Sequence, residues 1–271
     1  MRIIVPIKQV PETGAVKMDE ATGTMIREGV EAIVNPLDLY GLELAIRLRE
    51  QAEAAGGDSV EVVTITMGPP AADKAIREAV AMGCDCGVLI SDKAFAGSDT
   101  WATSYVLAAA IRKLGPAELV ICGERATDGD TGQVGPGVAS FLGLPVVTYV
   151  SKLRSLSGGV AVLERLVETG REVLQMRLPG VITVVKEIGN PRLPTLRGKQ
   201  RARRTEVPRW RPADLDVRLE DLGLSGSPTR VVKIHKPTIA RQCRKLIAND
   251  EASAAEAVER VVEFLRERQL L

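Results

Sequence analysis

The sequence predicts an α/β fold, with a Rossmann-like, doubly wound and mostly parallel sheet that has an antiparallel extension. Apolar residues make up 45% of the 271 residues and aromatic residues only 3%, so the core must consist of Val, Ile, Leu and Ala. Before residue 150, short apolar runs alternate with helical patterns of about 12–15 residues, which is typical of right-handed βαβ units. After residue 150 the strands follow one another directly, which indicates the antiparallel extension.

The first strand is expected in "RIIVPI" at residues 2–7, and residues 16–30 suggest a small hairpin. A helix follows, because Asn35 can cap a helix, Pro36 suits a first turn and the paired glycines at 56–57 can end it. Further strand–helix units come next. Their strands are expected at residues 59–68, 86–91 and 117–123, and either Ser98 or Asp99 caps the helix after the second of these strands.

The second half of the chain changes character. Residues 158–187 predict two or three antiparallel strands around glycine-containing turns. Residues 192–211 carry eight basic side chains and one acid, and they are too polar and rich in proline for a core element. The chain ends in a predicted amphipathic helix. Its apolar stripe consists of Ala255, Val258, Val261, Val262 and Leu265.

Composition excludes several classes of function. Lys and Arg number 36 against 35 Asp and Glu, which gives no general case for nucleic acid or an acidic membrane surface. His235 is the single histidine, so neither a His-based triad nor a multi-His metal site is expected. The N-terminus predicts a strand rather than a signal peptide, and no apolar run approaches about 18 residues. We therefore expect a cytoplasmic protein without membrane insertion. The cysteines are Cys84, Cys86, Cys122 and Cys243, and the first two are expected to be small apolar fillers, because no further ligands at suitable spacing would complete a metal site.

Ligands of such sheets bind beyond the carboxyl ends of the strands, near the point where the strand order reverses. The segment "CGERATDGDTGQVGPGVASFLG" at residues 122–143 follows a strand and leads into a helix. Asp130 or Thr131 is expected to cap this helix, whose free N–H groups suit a phosphate. A plain cap and a Mg²⁺ site at Asp128 and Asp130 are the alternatives. The chain contains neither GxGxxG after its first strand nor GxxxxGK[ST], so it is neither an ordinary Rossmann dinucleotide fold nor a P-loop enzyme.

Three other segments are candidates. "TMGPP" at 66–70 suits either close approach to a nucleotide or a tight turn, and the hydroxyls of "AGSDTWATS" at 96–104 suit either a helix cap or polar ligand contacts. The basic segment 192–211 could bind nucleic acid, form a solvated face or dock a protein. Trp210 is its only aromatic residue, which argues against stacking on RNA. An exposed Leu196 among basic side chains favours a protein partner.

These motifs together resemble the beta subunit of electron-transfer flavoprotein. The resemblance is carried in order by "VPIKQVP", "VNPLDLYGLELAIRLRE", "TMGPPAADKAIREAVAMG", the 122–143 segment and "PRLPTLRGKQRARR". It runs from residue 1 to about residue 235, whereas the C-terminus matches only in general character. The loop "DGDTGQVGP" is similar to the electron-bifurcating subfamily, which binds FAD, rather than to the AMP-binding type with "DDDCNQT".

The resemblance implies a nucleotide site, a partner site and no catalytic or metal-binding side chain. Thr131 to Val134 would bind phosphate through the helix start, and Thr100 and Thr103 would lie near the flavin. Partner docking would fall to Leu196, Arg197 and Lys199. The full set of implied cofactor-binding residues is Pro6, Asn35, Asp38, Thr66, Met67, Gly68, Thr100, Thr103, Gly123, Arg125, Asp128, Gly129, Asp130, Thr131, Gly132, Gln133 and Val134.

The implied function is electron transfer in a heterodimer with an alpha subunit. FAD in this chain would take a hydride from NADH. One electron would reach the alpha-subunit FAD and then an acyl-CoA or related dehydrogenase or a quinone-reducing partner, and the other would reach ferredoxin or flavodoxin. The alternative is a non-bifurcating carrier with structural AMP. The implied division is nucleotide binding at 1–190, partner recognition at 191–211 and a C-terminal arm at 212–271 that packs on the alpha subunit.

Overall fold

The computed structural model describes residues 1–12, 17–18, 25–26, 32–230 and 245–271. Contacts divide the chain into two compact units, Met1–Lys233 and Ile234–Leu271. The described strands are β1 (Arg2–Pro6), β2 (Gln9–Pro11), β3 (Lys17–Met18), β4 (Met25–Ile26), β5 (Ala32–Val34), β6 (Glu61–Met67), β7 (Cys86–Ile90), β8 (Leu119–Gly123), β9 (Val146–Ser157), β10 (Val160–Val167), β11 (Gly170–Arg177), β12 (Gly180–Val184) and β13 (Arg209–Trp210). The described helices are α1 (Pro36–Ala54), α2 (Asp73–Met82), α3 (Thr100–Leu114), α4 (Val134–Leu142), α5 (Leu196–Arg204) and α6 (Glu251–Glu267).

A nine-stranded sheet forms the centre of the first unit, in the order β11-β10-β9-β12-β8-β1-β6-β7-β13. Seven neighbouring strands run parallel to one another: β9, β12, β8, β1, β6, β7 and β13. At the other end of the sheet, β10 pairs antiparallel with both β9 and β11. The predicted fold class, a mostly parallel sheet with an antiparallel extension, is confirmed. The short strands β3 and β4 pair antiparallel, in agreement with the predicted hairpin.

One strand departs from the predicted antiparallel run. β12 lies between β8 and β9 and is parallel to both. Its five residues are all buried, as expected for a central parallel strand covered on both faces. A continuous apolar run such as "GVITV" does not show the direction of its pairing, so the sequence could not distinguish the two arrangements.

Helices cover both faces of the sheet. Ile3 and Val5 point to one face, where they pack in one apolar cluster with residues of α1 and α2. Ile4 points to the other face and packs with residues of α3 and α4. Because side chains alternate along a strand, β1 contributes to both halves of the core. None of the helices in the described ranges combines the length and apolar character that a membrane crossing requires.

The basic segment contains a helix that the sequence did not predict. α5 begins after Thr195, whose hydroxyl accepts a hydrogen bond from the Gly198 N–H at 2.9 Å. Ala202 is buried in a small cluster with α2 residues, so part of the segment does pack against the body of the unit. Val207 packs against the same cluster, and Trp210 of β13 packs against the cluster that holds α3 and α4. The expectation that the segment is too polar and rich in proline for a core element was therefore wrong at these positions.

The second unit contains the predicted C-terminal helix, α6. Asp250 caps it by accepting a hydrogen bond from the Ser253 N–H at 2.7 Å. Val262 and Leu265 of the predicted stripe are half-buried, whereas Val258 and Val261 are exposed, and no residue of α6 is fully buried.

Candidate functional site

The candidate site lies where the strand order reverses. The chain continues from β1 to β6 and β7 on one side, and β8 and β12 lie on the other side of β1. Helices consequently leave the sheet in opposite directions at the carboxyl ends of β1 and β8, which is where open α/β sheets bind ligands. Pro6 ends β1 and Gly123 ends β8, so the residues that follow them, together with the start of α1, surround this crevice.

Asn35 connects the two strand ends. Its side chain is fully buried, its Nδ2 donates to the Arg125 carbonyl oxygen at 2.9 Å, and its Oδ1 accepts the Thr127 N–H at 3.2 Å. Its backbone N–H donates to the Lys8 carbonyl oxygen at 2.8 Å. Asn35 does occupy the N-cap position of α1, as predicted, but its side chain does not cap the helix. Instead it fixes the loop after β8.

Asp38 lies beneath the crevice, on the first turn of α1. It is buried, and its Oδ2 accepts the Lys8 N–H at 2.7 Å. Burial raises the pKa of Asp38 from 3.8 to about 7, against the opposing effects of the hydrogen bonds from Lys8 and Asn35 and the charge of Lys8. Gly123 passes directly over this turn, because an added Cβ would lie 2.9 Å from the Leu37 carbonyl carbon and would collide with Asp38 Oδ1.

The acids of the 124–130 loop form ion pairs. Asp128 Oδ1 lies 2.7 Å from Lys8 Nζ, and Asp130 Oδ2 lies 3.2 Å from Arg125 Nη1. Glu124 Oε1 lies 3.6 Å from Arg125 Nε. Nowhere in the described ranges do three or more His, Cys, Asp or Glu side chains form a group suited to a metal ion. The acids therefore neutralise neighbouring cations and shape the loop.

The start of α4 differs from the prediction. The helix begins at Val134 with Gln133 as its N-cap residue, and no side chain caps it. Asp130 and Thr131 are exposed in the loop ahead of the helix, so neither is the predicted cap. The Thr131 N–H donates to the Gly129 carbonyl oxygen at 2.9 Å, which ends the loop in a turn. An uncapped first turn keeps its N–H groups available at the positive end of the helix dipole.

Two helices meet at this point. The Thr100 hydroxyl donates to Gln133 Oε1 at 3.1 Å, which joins the starts of α3 and α4. Asp99 caps α3 by accepting the Ala102 N–H at 3.0 Å, which confirms one of the two predicted caps. Ser104 donates to the Thr100 carbonyl oxygen at 2.6 Å, and Thr103 is half-buried beside it in the sequence. Most hydroxyls of this segment thus serve the protein's own structure.

The end of β6 contributes one unusual polar atom. Thr66 is fully buried, and its Oγ1 has no hydrogen-bond partner within the part of the chain that the structure describes. Met67 is half-buried. Gly68 donates to the Ile90 carbonyl oxygen at 3.0 Å, and an added Cβ would lie 3.0 Å from Ala72 Cβ. The contact with Ala72 favours a tight turn as the reason for glycine at this position.

Two further residues, which the sequence did not single out, border the crevice. Lys8 provides a cation, a backbone donor and a backbone acceptor, and its position just after the first strand was the available signal. Tyr149 has a φ of 57°, and its hydroxyl would lie 3.7 Å from a Cβ added at Gly132. Nothing in the local pattern of β9 indicates that backbone conformation.

The predicted docking residues lie in a separate place, on α5. Leu196 is 81% exposed and Leu193 is 85% exposed, as the sequence predicts for anchors that project from a charged segment. Arg197 and Lys199 are also exposed. A shallow depression of about 350 Å³ runs along the helix and is lined by Arg197, Gln200, Arg201, Arg204 and Thr205.

Comparison with known proteins gives a consistent result. The electron transfer flavoprotein domain model matches residues 22–215. The chain is 43% identical to the electron transfer flavoprotein subunit beta of Thermoanaerobacterium thermosaccharolyticum, with 100% of both chains covered. It is 44% identical to subunit CarD of the caffeyl-CoA reductase-Etf complex of Acetobacterium woodii, with 88% of each chain covered. Protein FixA of Azorhizobium caulinodans is 41% identical, with 95% of this chain and 92% of the relative covered.

Proposed function

The chain belongs to the electron transfer flavoprotein family as a beta subunit, and we propose that it binds FAD in the crevice between the ends of β1 and β8. The observation that carries this proposal is the uncapped start of α4 behind the "DGDTGQV" loop. Its free N–H groups are the donors that a phosphate requires. The same loop is the part that resembles the FAD-binding rather than the AMP-binding type.

The crevice residues fit a nucleotide. The acids of the loop are paired with Lys8 and Arg125, so a bound phosphate would be neutralised mainly by the helix dipole and by backbone N–H groups from Gly132 to Val134, because the Thr131 N–H already donates to the Gly129 carbonyl oxygen. Asn35 and Asp38 would hold the two strand ends at a fixed separation. The Thr66 hydroxyl, which has no partner among the described residues, is a buried donor and acceptor at the end of β6.

The remaining predicted contacts complete this assignment. Pro6, Met67, Gly68, Gly129 and Gly132 would supply backbone and small surfaces near the strand ends. Thr100 borders the α4 start through its bond to Gln133, and Thr103 lies one turn further along α3. No side chain is assigned a catalytic role. The chain's own contribution is to bind, orient and electrostatically tune the cofactor.

When bound, FAD would convert hydride transfer from NADH into single-electron transfer. One electron would reach a dehydrogenase or quinone acceptor through the alpha-subunit FAD. The other would reach ferredoxin or flavodoxin. One relative is named as part of a complex with a caffeyl-CoA reductase, which supports an acyl-CoA-type dehydrogenase as the higher-potential partner. Leu196, Arg197 and Lys199 would bind that partner.

We assign residues 1–190 to nucleotide binding, 191–211 to partner recognition and 212–271 to packing on the alpha subunit. The described cysteines Cys84, Cys86 and Cys122 are free thiols, which is consistent with the proposed location in the reducing cytoplasm. Cys84 and Cys122 are inert at neutral pH, because burial raises the pKa of each thiol to about 12.

The test is a cofactor count on the heterodimer purified with its alpha subunit. Two FAD per heterodimer, with bleaching of both on addition of NADH, are expected. One FAD with one AMP, and no reduction by NADH, would overturn the proposal in favour of a non-bifurcating carrier. FAD and AMP are both counted in the same denatured sample. A total of fewer than two nucleotides per heterodimer therefore reveals loss of nucleotide during purification.

A further inference from the structure

Among the residues that the structure describes, Arg192 forms the most extensive side-chain ion pair outside the crevice. Its Nε and Nη2 lie 2.8 and 3.1 Å from the two carboxylate oxygens of Glu43, and its backbone N–H donates to the same carboxylate at 3.1 Å. Its Nη1 and Nη2 lie 2.5 and 2.8 Å from the carboxylate oxygens of Glu50. One guanidinium therefore joins two glutamates that lie about two turns apart on α1.

The geometry requires arginine. Only the planar guanidinium has five donors in a fixed fork, whereas a lysine ammonium has three donors on one atom and could not form a two-point contact with each carboxylate. Glu43 is only 6% exposed, so its carboxylate depends on this partner. The hydrogen bonds from Arg192 lower the pKa of Glu50, and those same bonds raise the pKa of the Arg192 guanidinium. This pair thus holds the residues before α5 against α1.

The other end of the segment is also fixed. Arg201 Nη2 donates to the carbonyl oxygens of Val80 at 2.8 Å and Cys84 at 2.6 Å, at the end of α2. Gly198 passes so close to α2 that an added Cβ would collide with the Ala81 carbonyl oxygen. Between these two attachments, Leu193 and Leu196 are the most exposed large apolar side chains described.

We propose that Arg192 is a positioning residue that, by clamping Glu43 and Glu50, fixes the direction in which Leu193 and Leu196 face a partner protein. The inference rests on the docking role proposed for Leu196. The partner surface would be acidic with an apolar pocket, because Arg197, Lys199, Arg203 and Arg204 are all exposed around the leucines. Fixing the segment before the encounter removes the entropy cost of ordering it on binding.

The experiment compares Arg192→Lys with Arg154→Lys in the heterodimer. Arg154 is a matched control, because its Nε and Nη2 also bind a buried glutamate, Glu164, at 3.1 and 2.6 Å, far along the sheet on β9. Lysine keeps a positive charge beside each glutamate, so both variants are expected to fold. The measurements are hydrogen exchange of the backbone amides of residues 193–199, and kcat and KM for an acyl-CoA-type dehydrogenase as the electron acceptor, with NADH as donor.

Arg192→Lys should speed amide exchange at 193–199 by about tenfold and raise KM by about as much, with kcat and bound nucleotide unchanged. Arg154→Lys should change neither quantity. Exchange at 193–199 that is equal in the two variants would overturn the positioning role. A third variant, Leu196→Ala, tests the docking role separately from the positioning role. If Leu196→Ala leaves KM unchanged while Arg192→Lys speeds amide exchange, Arg192 clamps the segment but the segment does not dock. The inference then fails because the docking role on which it rests has failed.

Discussion

Asn35 Nδ2 donates to the carbonyl oxygen of Arg125 at 2.9 Å, across 90 residues of sequence. The bond joins the start of α1 to the loop after β8, and the second side-chain bond, from the Thr127 N–H, makes the same connection. Both partners are backbone groups, so the loop is held whatever side chains it carries. Asn35 therefore sets the shape of the crevice, and its removal should change nucleotide binding before it changes the fold as a whole.

Asn35→Ala should weaken nucleotide binding about tenfold or more and lower the free energy of unfolding by about 2–4 kcal/mol. The reason is that the Arg125 carbonyl and the Thr127 N–H lose their buried partner. Flavin or AMP titration of the heterodimer and urea unfolding measure the two effects. Asn190→Ala is the matched control, because Asn190 is exposed and should leave both quantities unchanged. Wild-type affinity in Asn35→Ala would contradict the structural role.

Gly123→Ala should lower nucleotide affinity more than tenfold and destabilise the protein by about 1–3 kcal/mol. A Cβ at this position would lie 2.9 Å from the carbonyl carbon and the carbonyl oxygen of Leu37, and backbone atoms cannot rotate away. α1 or the loop must then move. Gly57→Ala is the control, since its nearest contact, the Ala52 carbonyl oxygen, would lie at an acceptable 3.4 Å. Equal melting temperatures for the two variants would refute the close approach.

Asp38 should make stability depend on pH between about pH 4 and pH 7. Its folded pKa of about 7 lies above its ordinary value of 3.8, so the folded state keeps a proton that the unfolded state has lost. The contribution of Asp38 is fully present below about pH 4 and is lost as the pH rises through 7. In Asp38→Asn, which retains an acceptor for the Lys8 N–H, this loss disappears.

Thermal unfolding of parent and Asp38→Asn across that range measures the effect as a difference. The parent should lose about 2–4 kcal/mol relative to the variant between the two ends of the range. Carboxylates with lowered pKa values, such as Glu50 and Asp99, are common to both proteins and cancel. A difference that is constant with pH would mean that Asp38 is ionised throughout.

Much of the fold was accessible from sequence, because the alternation of apolar runs and helical patterns reports burial directly. The direction of β12 was not, since a strand buried on both faces has no alternation and its neighbours are fixed by tertiary contacts. The helix α5 was obscured in the same way. Its helical residues are mostly charged, and the one buried side chain, Ala202, gives no periodic signal.

The candidate site was partly predictable because its residues follow strand ends. What could not be predicted is how the polar groups are shared among them. Asn35 was expected to cap α1, but it has better-placed backbone partners in the loop after β8. Asp130 or Thr131 was expected to cap α4, but neither does, and Asp130 pairs with Arg125 instead. The bonds of Asn35 join segments that are distant in sequence, and the pair of Asp130 and Arg125 crosses a turn. Local propensity accounts for neither contact.

Leu196→Ala should slow electron transfer to an acyl-CoA-type dehydrogenase about tenfold or more through a higher KM, while the bound nucleotide is retained. An 81% exposed leucine contributes nothing to the core, so its truncation removes only what it binds in a partner. Leu219→Ala is the control, because Leu219 is 70% exposed but lies outside the basic segment. Raising the salt concentration should increase KM further in both the parent and Leu196→Ala, since Arg197 and Lys199 would still attract an acidic surface. If Leu196→Ala and Leu219→Ala have the same KM, the leucine is not an anchor; if salt has no effect on KM, the basic side chains around it do not guide the encounter.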